Sequence, residues 1–219
     1  MPPRTIAIGD VHGCAAALRA LLRQIEPQST DTIVMLGDCV DRGPDSRGVI
    51  ETLLELKDRC NLVPILGNHE EMMINFIDRR VQPDDWLVVG GEATIASYIA
   101  DRQSPSFPKS HEDFIRSWCD YWEDDHHFYV HGAYHPEQPL SGQRWQIWRW
   151  HSLRDSVPEP HASGKVAIVG HTSQKTGEVL DLGHIKCIDT YCWGGGWLTA
   201  YQPTTGQLWQ VDRDGKPRK

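Results

Sequence analysis

TIVMLGDCVDRGPDSRGVIETLLELKDR, residues 32–59, reads as a buried strand, a Gly-Asp turn and an amphipathic helix. The apolar run Thr32–Leu36 stops at Gly37-Asp38, which is strand length with turn punctuation. Pro44 precedes a second run, Ser46–Arg59, where Val49, Ile50, Leu53, Leu54 and Leu56 recur at helical spacing. The same grammar holds on both sides. Thr5–Ile8 ends at Gly9-Asp10 and leads into Cys14–Ile25, which carries Leu18, Leu21, Leu22 and Ile25 on one face. Leu62–Leu66 ends at Gly67-Asn68 and leads into a third helix, Glu70–Arg79. Such alternation predicts right-handed crossovers and a parallel sheet, hence an α/β class. Ligands of such sheets gather beyond the carboxyl ends of strands, where all three turns fall.

Beyond residue 83 the pattern changes. DDWLVVGGEATIASYIA (84–100) and HEDFIRSWCDYW (111–122) read as two helices joined by the Pro/Ser-rich stretch 103–110, a helical cap over 84–123 beside the cleft. The rest is β-rich. Phe128–Val130 ends at His131 and Val166–Val169 ends at Gly170-His171; short strands follow near 178–182, 185–189, 197–201 and 207–211. Thr204-Thr205-Gly206 reads as a hairpin turn, and DRDGKPRK (212–219) as a frayed polar tail. At 219 residues a single domain, 1–219, is expected.

Hydrophobic residues make up 39% of the chain and charged residues 24%, ordinary values for a globular domain. The net charge of −8 argues against a surface that tracks nucleic-acid phosphates. An anionic small substrate stays open to it, because two bound dications would reverse the local charge of a cleft. No apolar run approaches the ~20 residues of a membrane helix, and MPPRTIAIGD lacks the basic and apolar regions of a secretion signal. A cytoplasmic location is expected. The six cysteines form no CxxC pair and read as free thiols. Cys14 and Cys39 stand beside the motifs below as small buried fillers, with soft ligands or redox switches as the alternative.

GDVHG (9–13), GDCVDRGP (37–44), GNHE (67–70), HGA (131–133) and GHT (170–172) together supply Asp10, His12, Asp38, Asn68, His131 and His171. Each stands at the end of an apolar run, where a strand would deliver it to one sheet edge. Asp38 could bridge two ions with its two oxygens. Mixed nitrogen and oxygen donors without thiolate suit Mn, Fe or Zn. Two such ions, about 3.5–4 Å apart, are the equipment of phosphoester hydrolysis.

These strings, with GGEATIASY (90–98) and IDTYCWGGGWLTAY (188–201), resemble the calcineurin-like metallophosphoesterases. Within them the likeness is to the phosphoprotein phosphatase branch and its small bacterial and phage-type serine/threonine phosphatases. It covers roughly residues 4–211. The resemblance implies two packed mixed β-sheets flanked by helices, with metals above one edge. It assigns Asp10, His12 and Asp38 to one divalent ion and Asp38, Asn68, His131 and His171 to a second. Manganese is the first choice, with Fe, Zn, Ni or Co as alternatives. Arg42 corresponds to a phosphate-clamping arginine, His69 to the proton donor for the leaving oxygen, and Asp41 to the carboxylate that orients it. A second phosphate contact is expected from RWQIWRWHSLRD (144–155), with Arg149 ahead of Arg154 and Arg144. The implied reaction is direct in-line attack on a phosphomonoester by a metal-bridging hydroxide.

The expected substrate is a phosphorylated protein or small phosphoester, taken by a monomer or weak oligomer without membrane or stable nucleic-acid contact. Symmetrical diadenosine tetraphosphatases share the early motifs and give the alternative; the short chain and WGGGW favour the protein phosphatase. An inactive binding module is disfavoured because the whole ligand set is present. Of the nine tryptophans, Trp145, Trp148 and Trp150 are candidates for base stacking, with aromatic packing the commoner use. Asp189 resembles a group behind the ligands, and His135 could line the cleft. His126 and His127 read as solvated or hydrogen-bonded.

Overall fold

The computed structural model describes residues 2–99 and 107–219, so part of the expected 103–110 join lies outside the described residues. The alternation of the first half folds as one sheet. β1 (Thr5–Ile8), β2 (Thr32–Met35) and β3 (Asn61–Pro64) pair in parallel, with Thr5 opposite Thr32 and Thr32 opposite Asn61. α1 (Ala15–Ile25) and α2 (Ser46–Lys57) make the crossovers, and α3 (Asn68–Ile77) leaves β3. α4 (Pro83–Trp86) and α5 (Glu92–Ile99) are joined by a wide helical turn, and α6 (Lys109–Arg116) follows.

β4 (Tyr121–Glu123), β5 (His127–Val130), β6 (Val166–Val169), β7 (Leu180–Asp181) and β8 (Ile185–Cys187) build a second sheet, with α7 (Trp145–Trp150) between β5 and β6. Its order is β4-β5-β6-β8-β7, with β5, β6 and β8 parallel and the edge strands antiparallel. β9 (Leu198–Gln202) and β10 (Gln207–Val211) return to the first sheet, giving β10-β9-β1-β2-β3. The α/β fold is therefore two mixed sheets of five strands with flanking helices.

Side-chain alternation sorts the core into three layers. Ala7, Val34, Leu36, Tyr129, Ile168 and Ile188 meet between the sheets. Ile6, Ile8, Ile33 and Met35 face the other way, onto α1 and α2. Phe128, Val130, Ala167 and Val169 face Trp148 of α7. Strands buried on both faces explain the continuous apolar runs. The C-terminal ends of β1, β2, β3, β5 and β6 gather at one edge of the sandwich, and each carries one of the five motifs.

Two expectations need correction. Residues 117–123 are not helical: α6 stops at Arg116, and Tyr121–Glu123 pairs with β5. There Tyr121 packs on the outer core layer and Trp122 on the inner one, a period-two pattern that a helix cannot satisfy. The tail is not frayed either. Asp212 donates its N–H to Lys216 O, Arg218 donates to Gln210 O, and Gly215 lies against Ala16 and Ala20 of α1. Among the described residues no helix is long and apolar enough to cross a membrane.

Candidate active site

The six expected ligands and the Asp41, Arg42 and His69 group converge at that edge. Asp10, His12, Asp38, Asp41, Asn68, His69 and His131 are all buried, and His171 is half-buried. Backbone carbonyls fix the rings. His12 Nδ1 is 3.0 Å from Val40 O, and His131 Nδ1 is 2.7 Å from Leu36 O. With Nδ1 held on a carbonyl, each ring aims its Nε2 inward, the usual outer support of a metal-binding histidine.

Inside, the potential ligand atoms crowd together. His131 Nε2 lies 3.0 Å from Asn68 Oδ1, 3.1 Å from His171 Nδ1 and 3.3 Å from Asp38 Oδ1. His171 Nδ1 lies 3.0 Å from Asn68 Oδ1. The second oxygen of Asp38 faces the other way, 3.5 Å from His12 Nε2 and 3.9 Å from His69 Nε2. Atoms bound at about 2.1 Å around one ion stand about 3.0–3.4 Å apart for octahedral to tetrahedral angles. The Asp38, Asn68, His131 and His171 spacing fits that requirement, and the two Asp38 oxygens face two separate groups of donors. Asp10 stands at the edge of these groups, both oxygens accepting the His171 N–H at 3.0–3.2 Å.

The electrostatics point the same way. Burial, reinforced by the Asp189 carboxylate, drives the Asp10 pKa well upward. Burial opposes a charge on His131, yet the Asp38 carboxylate lifts its pKa to about 10. Burial beside His131 pushes His171 down to about 4. Buried carboxylates packed among imidazoles are the environment that a divalent cation stabilises. The cysteines stay outside both donor groups. Cys14 and Cys39 are buried, and burial raises the Cys39 thiol well above its ordinary value.

The residues expected to face a substrate form a second unit. His69 Nδ1 lies 2.6 Å from Asp41 Oδ2. Asp41 also accepts from Trp86 Nε1 and Thr94 Oγ1, so three donors hold it. Arg42 points its Nη1 at His12 Nε2, 2.7 Å away, with its guanidinium 5.0 Å above the Trp193 ring. Arg149 is tied to Asp120 and, at 3.2 Å, to Glu71, and it lies over Trp145. Arg154 donates to Ser173 O, and Arg144 precedes α7. Trp148 belongs to the core, whereas Trp145 and Trp150 are about two-fifths exposed at 41% and 42%. Asp189 accepts from Ser173 Oγ at 2.7 Å. His127 pairs with Asp124, and the His135 N–H donates to Gln143.

Two features escape sequence reading. Among the described residues eight non-glycine positions have positive φ, and five of them are His12, Asp38, Asp41, Arg42 and His171. Such strain collects where function over-determines the backbone. Gly37 (φ 94) shares the crowding: a Cβ there would stand 2.7 Å from Gly67 N and 2.9 Å from His131 Nδ1.

The other feature is Glu70, fully buried, whose Oε1 accepts from Cys39 N and Val40 N while Oε2 accepts from Asp38 N and Gly67 N. It ties the β2 turn to the β3 turn. Its signal was an acidic residue in the first turn of a helix that follows glycine. Burial and the Asp38 charge raise its pKa to about 7. Glu70→Gln turns an NH₂ group toward two backbone N–H donors and is expected to cost about 2–4 kcal/mol. Urea denaturation of the metal-free protein measures this; an unchanged midpoint would show that the clamp is dispensable.

The family model for calcineurin-like phosphoesterase matches residues 3–195. Serine/threonine-protein phosphatase 1 of Salmonella typhimurium is 38% identical over 89 residues, 39% of this chain and 38% of that protein. The symmetrical bis(5'-nucleosyl)-tetraphosphatase of Klebsiella pneumoniae is 51% identical over 67 residues, 30% of this chain and 23% of that enzyme. The matched stretches thus span well under half of either relative. A cold-active protein-tyrosine phosphatase of Shewanella has a similar fold, with a TM-score of 0.67 over 100% of this chain and 80% of that one at 18% identity.

Proposed function

The chain belongs to the calcineurin-like phosphoesterase family, and on that premise we propose that it is a metal-dependent phosphomonoester hydrolase of the serine/threonine protein phosphatase type. The observation that carries the hydrolase reading is the Asp41–His69 pair, joined at 2.6 Å, beside an arginine and a convergent ligand set, and the 38% identity to serine/threonine-protein phosphatase 1 supports the phosphatase type. Two divalent ions, manganese by first choice, held by Asp10, His12, Asp38, Asn68, His131 and His171 would supply Lewis acidity and an activated water.

The chain's own residues do the rest. Arg42 offers a planar fork to two phosphoryl oxygens, held at its base by the backbone and over its face by Trp193. Its N–H donates to Gly90 O at 3.1 Å, and Gly90, at φ 119, leaves no room for a Cβ beside Arg42. His69 donates from Nε2 to the leaving oxygen while Nδ1–H stays on Asp41. Arg149 adds a second phosphoryl contact on exchanging one of its carboxylate partners, Glu71 or Asp120.

Arg42→Ala is expected to lower kcat/KM about 10–100-fold, the worth of one charge-assisted contact at 1.5–3 kcal/mol. Arg42→Lys should recover only part of it, because a point charge cannot bind two oxygens at once. Steady-state kinetics on an aryl phosphate measure both, and a fully active Arg42→Ala would remove the clamp.

The tetraphosphatase relative, 51% identical over its matched stretch, supports a second reading, hydrolysis of dinucleoside polyphosphates. The deciding experiment compares kcat/KM for phosphoserine or phosphothreonine peptides and for diadenosine tetraphosphate, with manganese after chelation. A preference for the peptide supports the phosphatase reading, and a preference for the dinucleotide replaces it. No turnover of either would leave a binding module.

A further inference from the structure

Trp86 is fully buried at the end of α4, 45 residues from Asp41, yet its indole N–H reaches the centre of the site. It donates to Asp41 Oδ2 at 2.8 Å, the same oxygen that His69 Nδ1 approaches at 2.6 Å. Thr94 Oγ1 donates to the other oxygen at 2.7 Å and accepts the Asp41 N–H at 2.8 Å. Ser46 Oγ closes the group, 2.8 Å from Thr94 Oγ1. Trp86 is itself packed against Phe76, with ring centroids 4.8 Å apart. None of this is needed to bury an aromatic ring, since an indole in a core can leave its N–H unused, as Trp118 and Trp148 do here.

We propose that Trp86 is a positioning residue of the proton-donor unit, acting through Asp41 on His69, with Thr94 as its counterpart on the opposite oxygen. The inference rests on the reading of His69 as proton donor. Two donors on one carboxylate oxygen share its lone pairs. The indole therefore fixes Oδ2 in place and blocks rotation of the carboxylate. The ring then keeps its orientation, with Nε2 aimed at the leaving oxygen. As the P–O bond breaks, its electron pair goes to that oxygen together with the Nε2 proton, leaving neutral His69 still donating Nδ1–H to Asp41. Without the indole N–H, Asp41 is free to turn, the His69 ring loses its aim, and donation weakens. Binding of the phosphoryl group does not pass through this chain of contacts.

The test uses the full-length manganese enzyme and a series of phosphomonoesters from good to poor leaving groups. His69→Asn sets the reference, with a loss that grows as the leaving group becomes more basic. Trp86→Phe, and benzothienylalanine at position 86, which keeps the ring shape without the N–H, should lower kcat about 10-fold on an alkyl phosphate. They should change it little on p-nitrophenyl phosphate and leave KM alone. Combining either with His69→Asn should add no further loss. In the metal-free protein the Trp86 indole N–H resonance should move in His69→Asn. A uniform loss across leaving groups, or one that adds to His69→Asn, assigns Trp86 to packing alone and overturns the proposal. His69→Asn without leaving-group dependence would instead remove the proton-donor reading, and this proposal with it.

Discussion

Asp38→Ala is expected to abolish turnover and to reduce manganese binding from two ions per chain to one or fewer. Asp38 is 2% exposed, and its oxygens face different neighbours, Oδ1 towards His131 and Oδ2 towards His12 and His69. No other carboxylate among the described residues reaches both groups of donors. Losing the metals' share of transition-state stabilisation, about 6 kcal/mol, corresponds to roughly 10⁴-fold in rate. The substitution also takes an acceptor from the His69 N–H at 3.1 Å. Asp38→Asn keeps that acceptor and serves as the folding control. Isothermal titration with Mn²⁺ and initial rates on an aryl phosphate measure the two effects. A fully active Asp38→Ala enzyme would end the dinuclear reading.

His69→Asn is expected to leave metal binding largely intact and to lower kcat about 10²–10⁴-fold, the usual worth of general acid catalysis. The ring is 1% exposed and pinned by Asp41, so it cannot swing to a compensating position. Its Nε2 stands 3.9 Å from Asp38 Oδ2, close enough to raise a competing role as a ligand. The two roles separate cleanly. A proton donor loses rate on alkyl phosphates and little on p-nitrophenyl phosphate, with metal stoichiometry unchanged. A ligand loses metal and loses rate equally on both. Unchanged activity on an alkyl phosphate would remove the proton-donor role.

Much of the fold was legible because local rules agree with global ones. β1, β2 and β3 announce themselves as short apolar runs ended by Gly-Asp or Gly-Asn, and the helices after them carry apolar residues at helical spacing. The segment 117–123 misled because Trp118, Tyr121 and Trp122 fit helical spacing as well as strand alternation, and only pairing with β5 decides between them. The tail misled because its polar composition conceals a turn held by backbone bonds and by contact of Gly215 with α1.

By itself the sequence named the candidate donors: which of them stand at strand ends, that they are hard or borderline, and that a carboxylate capable of bridging lies among them. The tertiary structure alone decided how those donors are held. Glu70 clamps two turns, Trp86 and Thr94 reach Asp41 from 45 and 53 residues away, and carbonyls of the turn after β2 orient two imidazoles. Beyond the acidic residue in the first turn of α3, no local pattern encodes such contacts. They exist because two sheets bring distant strand ends to one edge, where burial makes each unpaired polar atom costly and so dictates its partner.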